Sequence, residues 1–229
     1  QCGVCSRRDA DKLIEQGKVL VNGQVAGMGQ QVEETDTVQV GKKILQGKQT
    51  QKVLAFYKPV GVTCTERDPH AEKKIMDMIR YPERLTYAGR LDKDSEGLIL
   101  LTNDGDLINV MMRGANRHEK EYIVKTDREI TPDFLEKMAK GIYLKDLDIT
   151  TRECEIEQIG KFTFRIVLTQ GVNRQIRRMC EACGYRVKAL KRIRIMNILL
   201  GDLKPGKWRE VTGEELEQLQ RDTGMLNRN

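Results

Sequence analysis

The sequence predicts an α+β (α/β) protein in two parts: a larger domain with a mixed, mostly antiparallel central sheet flanked by helices, and a small domain in front of it. Three observations carry this. Short apolar runs are separated by turns, and helical stretches fall between them at irregular intervals, unlike a regular βαβ alternation. Residues 41–51 are polar, with Gly41, Gly47, three lysines and three glutamines, and read as a linker. The 229 residues suffice for one ordinary domain and a small one. The expected division is 1–46, a linker at 47–52, and 53–229.

The elements follow in order. Ser6 with Asp9 three residues on is a helix start; Ala10, Leu13 and Ile14 give that helix an apolar side, and Gly17 stops it. Val19, Val21 and Val25 flank Asn22-Gly23, a strong hairpin signal, and Val32, Val38 and Val40 continue the alternation. Val53-Leu54-Ala55-Phe56-Tyr57 is a buried strand ended by Lys58-Pro59-Val60-Gly61. Ile75, Met76 and Ile79 suggest a short helix. Leu98-Ile99-Leu100-Leu101-Thr102 is a second buried strand, stopped by Asn103-Asp104-Gly105-Asp106, with a helix expected over 106–113 ending at Gly114. Tyr122-Ile123-Val124 is a strand. Thr131-Pro132 caps a helix carrying Phe134, Leu135 and Met138, and Gly141 ends it. Residues 150–159 alternate weakly, whereas Phe162, Phe164, Ile166 and Leu168 share one face. Residues 186–195 form a further strand, and Thr212 with Glu215 is expected to cap a last helix.

Hydrophobic residues at 39% and charged residues at 32% fit a soluble globular protein. No apolar run approaches a membrane span and no signal-peptide pattern opens the chain, so a cytoplasmic protein is expected, with no membrane partner. The first residue is not Met, and a missing N-terminal segment is expected. Net charge is +6, which favours an anionic partner. From Asn173 to Ile195 there are eight arginines and lysines against Glu181 alone, so the excess is local, as a phosphate-contacting surface requires. Six cysteines include two C-x-x-C pairs, Cys2/Cys5 and Cys180/Cys183. A zinc site from them would join opposite ends of the chain, and Cys180 and Cys183 fall on an apolar helix face with Ile176. Thiols in a reducing compartment are the expectation, with no metal.

The stretch with chemical content is Gly89-Arg90-Leu91-Asp92-Lys93-Asp94-Ser95-Glu96-Gly97, a charged, glycine-bounded loop feeding the strand that follows. It resembles the active-site motif of the pseudouridine synthases, GRLD-x-x-[TS]-x-G before an apolar strand. Lys58-Pro59-Val60-Gly61 resembles the family's K-P-x-G turn, although Tyr57 stands where asparagine is common. Lys120-Glu121-Tyr122 matches its K-x-Y. Asn173-Arg174-Gln175-Ile176-Arg177-Arg178-Met179 is similar to its later motif and points to the branch that modifies ribosomal RNA and carries an S4 module. The first helix, with Val21-Asn22-Gly23 in the following turn, resembles that RNA-binding module from Gly3 and Cys5 onward, without its usual first helix. The resemblance therefore implies an N-terminally incomplete S4-like domain.

The resemblance implies an enzyme that needs neither metal nor cofactor. It breaks the N1–C1′ bond of a uridine flipped out of RNA, turns the base and rejoins it through C5. Asp92 is the implied nucleophile, attacking the ribose or assisting a glycal intermediate. Arg177 is the implied partner that keeps Asp92 ionised and aimed. Tyr122 would stack on the uracil, and Leu168 would wall the pocket. Arg90 would contact displaced RNA or the phosphate beside the flipped nucleotide. Arg7, Arg8, Lys12, Asn173, Arg174 and Arg178 are expected to contact RNA. The implied substrate is large-subunit ribosomal RNA, with a tRNA anticodon loop as an additional target, and nothing demands more than a monomer. Two other readings remain: a non-catalytic RNA-binding protein, and a nucleic-acid hydrolase using Asp92 with Asp94 or Glu96 as a carboxylate pair.

Overall fold

The strand Val53–Lys58 has no exposed residue, and a strand can bury both faces only at the centre of a layered domain. The computed structural model describes residues 5–33, 35–45, 50–65 and 72–226. Cys2, Gly3 and linker residues 46–49 lie outside the described residues.

The N-terminal part begins with helix α1 (Arg7–Glu15), whose Ser6 hydroxyl oxygen accepts from the Asp9 amide. Strands β1 (Val19–Val21), β2 (Gln24–Val25), β3 (Val38–Val40) and β4 (Lys43–Leu45) form a sheet in the order β2-β1-β3-β4. Asn22 and Gly23 take positive φ, 51° and 81°, as the tight β1–β2 turn requires. Leu13 and Ile14 of α1 pack on Val19, Val21 and Ala26.

The second part is built on one large sheet. Its strands are β5 (Val53–Lys58), β6 (Thr86–Ala88), β7 (Glu96–Thr102), β8 (Lys120–Thr126), β11 (Glu155–Gly160), β12 (Thr163–Leu168), β13 (Val187–Ile195), β14 (Ile198–Leu199) and β15 (Trp208–Glu210). Two short strands, β9 (Tyr143–Leu144) and β10 (Ile149–Thr150), pair separately. The order is β11-β12-β8-β13-β7-β5-β15, with β14 on β13 and β6 on β7. Every pairing in this sheet is antiparallel except β13 with β7. The sheet is thus mixed and mostly antiparallel, as expected.

Helices α2 (Gly105–Met112), α3 (Pro132–Lys140), α4 (Gln175–Ala182) and α5 (Gly213–Asp222) flank it. Phe134 and Met138 of α3 and Ile176 and Met179 of α4 cover β8 and β12 through Val124, Phe164 and Ile166. Leu107 of α2 and Leu219 of α5 cover one face of β5 and β7. The other face carries Leu54, Phe56, Ile99 and Leu101, against Ile75 of a single 3₁₀ turn at Ile75–Met78.

Three local expectations need correction. The Thr212 hydroxyl does not cap α5, and the Glu215 carboxylate, instead of reaching back to Thr212, accepts from the Arg209 guanidinium at 2.6 and 2.8 Å. Phe162 lies outside β12 in the hairpin turn, 38% exposed, with Lys161 over its ring. Helix α2 begins one residue earlier than expected, because Asp104 caps it by accepting from Asp106 and Leu107 amides.

Candidate active site

The charged loop hangs from the start of β7, and three backbone interactions fix it. Within the loop the Ser95 amide donates to the Asp92 carbonyl at 3.1 Å, closing a tight turn. The Gly61 amide donates to the Lys93 carbonyl at 2.7 Å, so the Lys58–Gly61 turn supports the loop directly. Gly97, at φ 111°, lets β7 meet β13: a Cβ there would sit 2.2 Å from the Arg192 carbonyl oxygen. Beneath the loop Lys58 is fully buried, and its ammonium donates to the Pro59 and Val62 carbonyls at 3.0 and 2.8 Å. Burial lowers its pKa, while Asp92 and Asp94 pull the other way.

Helix α4 faces the loop. Arg174, just before α4, has left-handed backbone, φ 52°. Its guanidinium forks onto Asp94 at 3.2 and 3.0 Å and reaches Asp92 at 3.5 Å. Arg177 donates to the Asp94 carbonyl at 2.9 Å and the Ser95 hydroxyl at 3.1 Å. The ion pair expected between Arg177 and Asp92 is not made. The Asp92–Ser95 turn presents Asp94 and Ser95 to Arg177 instead, and Asp92 meets Arg174. Burial would raise the Asp94 carboxyl's pKa, but the Arg174 hydrogen bonds and the charges of both arginines hold it below the usual range.

Opposite the loop, β8 presents Lys120 and Tyr122 on one face, two residues apart. Tyr122 is buried, and its hydroxyl makes no hydrogen bond among the described residues. Leu168 of β12 stands directly across from Lys120. Asp92, Tyr122, Leu168, Arg177, Arg174 and Arg90 all line one cleft of about 660 Å³. Asn173 is exposed at its edge. Arg178 also lies on α4, but it is bound to Asp146. Arg8 and Lys12 are exposed on α1, away from these contacts, and the Arg7 side chain lies outside the described residues.

The basic segment is not a simple phosphate-facing surface. Arg194 is bound to Glu119 and Glu121, Arg174 and Arg177 to Asp94, and Arg192 is 3% exposed. The sequence reading passed over Lys58, Lys120 and Arg192. The K-x-Y spacing already put Lys120 on the face of Tyr122, and that was the available signal. Cys180 is buried among the core of α4, and burial pushes its thiol up to about 12.

The sequence profile of RNA pseudouridylate synthases matches residues 52–182, and that of the S4 domain matches residues 2–38. The chain belongs to the RNA pseudouridylate synthase family. It is 45% identical over 221 residues to the dual-specificity RNA pseudouridine synthase RluF of Escherichia coli (strain K12), covering 96% of this chain and 75% of the relative. It is 33% identical to the ribosomal large subunit pseudouridine synthase B of Pseudomonas aeruginosa, covering 97% of this chain and 60% of that one. A crystal structure of a pseudouridylate synthase superposes with a TM-score of 0.71 at 28% identity, covering 95% of each chain. This synthase is therefore an isomerase acting on RNA, with a mixed α/β catalytic fold and an S4 domain.

Proposed function

We propose that this synthase isomerises a specific uridine in large-subunit ribosomal RNA, and also one in a tRNA anticodon loop, with Asp92 as nucleophile toward a flipped-out base. The observation that carries the assignment is the placement of Asp92. Its carboxylate stands on a loop fixed at both ends, in the same cleft as the Tyr122 ring and the Leu168 side chain. A nucleophile must be held and aimed, and a base must be enclosed. The cleft provides an aromatic face, an apolar wall and a carboxylate, which is the set that gripping a uracil while attacking its ribose demands. The names of the relatives, one dual-specificity and one for the large ribosomal subunit, support the two RNA classes. The carboxylate-pair hydrolase is disfavoured, because Asp94 is neutralised by two arginines.

Release of tritium from ribosomal RNA labelled at uracil C5 tests this, with wild type beside Asp92→Asn. Wild-type release with none from Asp92→Asn, at equal RNA affinity, is expected. Substantial single-turnover product from pure Asp92→Asn removes the nucleophile assignment. Wild-type release from tRNA alone removes the ribosomal substrate.

A further inference from the structure

The deep wall of the cleft carries two cations that the loop and α4 do not neutralise. In the register of β13 on β8, Arg192 stands directly opposite Tyr122, and in that of β12 on β8, Leu168 stands opposite Lys120. Residues directly opposite share a face with Cβ atoms about 5 Å apart. Lys120, Arg192 and the Tyr122 ring therefore form one contiguous surface, and all three line the cleft. Arg192 donates through Nε to the Leu98 carbonyl at 2.6 Å and through Nη1 to the Arg90 carbonyl at 3.5 Å. Its Nη2 is buried with no acceptor. Among the described residues Lys120 donates only to the His118 carbonyl, at 3.4 Å. Neither cation has a carboxylate within ion-pair distance among the described residues. Burial and the Arg192 charge bring the Lys120 ammonium down to about 8. Burial, and then the Lys120 charge, lower the neighbouring His118 imidazole. A buried cation with an unused donor, beside a second, half-buried cation, is costly, which makes the pair a place prepared for negative charge.

The reaction supplies that charge. When the N1–C1′ bond breaks, its electron pair leaves with the base, which becomes a uracil anion with charge on N1, O2 and O4. C1′ bonds to an Asp92 carboxylate oxygen, or else C2′ gives up a proton to form the glycal. The base then rejoins C1′ through C5, as the Asp92–C1′ bond breaks and frees the carboxylate on the first route, or as the C2′ proton is returned on the second. C5 loses its proton and N1 gains one, so the product is an isomer of the substrate. On both routes the detached base is an anion lying against Tyr122.

Resting on the pseudouridine synthase reading above, we propose that Lys120 and Arg192 form the subsite that stabilises the departing uracil anion. Lys120 is then a catalytic residue beyond the aspartate, tyrosine and arginine of the motifs.

The test compares Lys120→Met, Lys120→Gln and Lys120→Arg in single-turnover assays on RNA with uridine or 5-fluorouridine at the target. Consumption of the target nucleoside is followed by chromatography after nuclease digestion. Methionine removes a half-buried cation while keeping the stem, so the fold should not suffer. Lys120→Met and Lys120→Gln are expected to slow uridine turnover about a hundredfold. RNA affinity and its salt dependence should stay unchanged, and Lys120→Arg should keep most of the rate. Fluorine withdraws charge from the departing base, so the loss on 5-fluorouridine should be smaller. An unchanged rate overturns the proposal. An equal loss on both substrates also does, as does a loss confined to RNA binding. A wild type inactive on every uridine RNA would instead overturn the pseudouridine synthase assignment itself.

Discussion

The Arg177 guanidinium reaches the Asp94 carbonyl, the Ser95 hydroxyl and the Asp94 carboxylate through Nη2, while its Nη1 donates to the Val187 carbonyl of β13 at 3.4 Å. A lysine ammonium is one nitrogen and cannot hold the loop and β13 at once. Arg177→Lys is expected to leave the fold and RNA affinity intact and to lower kcat about a hundredfold, the scale of a displacement of about an ångström in a reacting group. Steady-state kinetics check this; kcat near wild type would mean that the loop holds itself. That Arg177 belongs near Asp92 was legible in the sequence, from motif resemblance. That it holds the neighbours of Asp92 was not, because the choice of partner depends on how an Asp92–Ser95 turn presents its carbonyls. Lys120 and Arg192 were missed for another reason: residue type predicts exposure for both, whereas the sheet leaves Lys120 half-buried and Arg192 buried opposite Tyr122.

At the scale of elements, β8 is tied to both neighbours by one carboxylate. Glu121 accepts from Arg165 of β12 at 3.1 Å and from Arg194 of β13 at 2.6 Å. Burial would raise its pKa, but the Arg194 and Arg165 hydrogen bonds outweigh it and hold the carboxyl below its usual range. A carboxyl lowered in the folded state contributes stability that is present above its unfolded value and lost as pH falls through the folded one. Glu121→Gln is expected to cost about 2 kcal/mol at pH 7. The difference from wild type should shrink as pH falls below the ordinary glutamate value, about 4.3. Urea unfolding at several pH values measures it, and a gap constant with pH would show that packing, not charge, ties the strands. Alternation in Lys-Glu-Tyr placed Glu121 on the face away from Tyr122, and that much was readable. The two arginines come from 44 and 73 residues further on, and only the strand order β12-β8-β13 brings them to it.

For the whole molecule, the exposed cations and the paired ones divide the work. Arg8 and Lys12 lie four apart on α1, on one exposed face, whereas most arginines near the cleft are tied to carboxylates or buried. Replacing both Arg8 and Lys12 by alanine is expected to weaken RNA binding and lower the slope of log affinity against log salt by about 1.5. Single-turnover rate at saturating RNA should not change. Fluorescence anisotropy over a salt series decides it, and an unchanged slope would remove α1 from the RNA-contacting surface. The site itself straddles the one parallel seam, β7 beside β13. Asp94 and the Arg174 that grips it are 80 residues apart in the chain. On a ribosome adding about 5–20 residues per second, the Asp92–Ser95 loop is synthesised some seconds before the arginines that fix it. The enzyme is thus born with this loop unheld, and the cleft is complete only once α4 and β13 have emerged and docked.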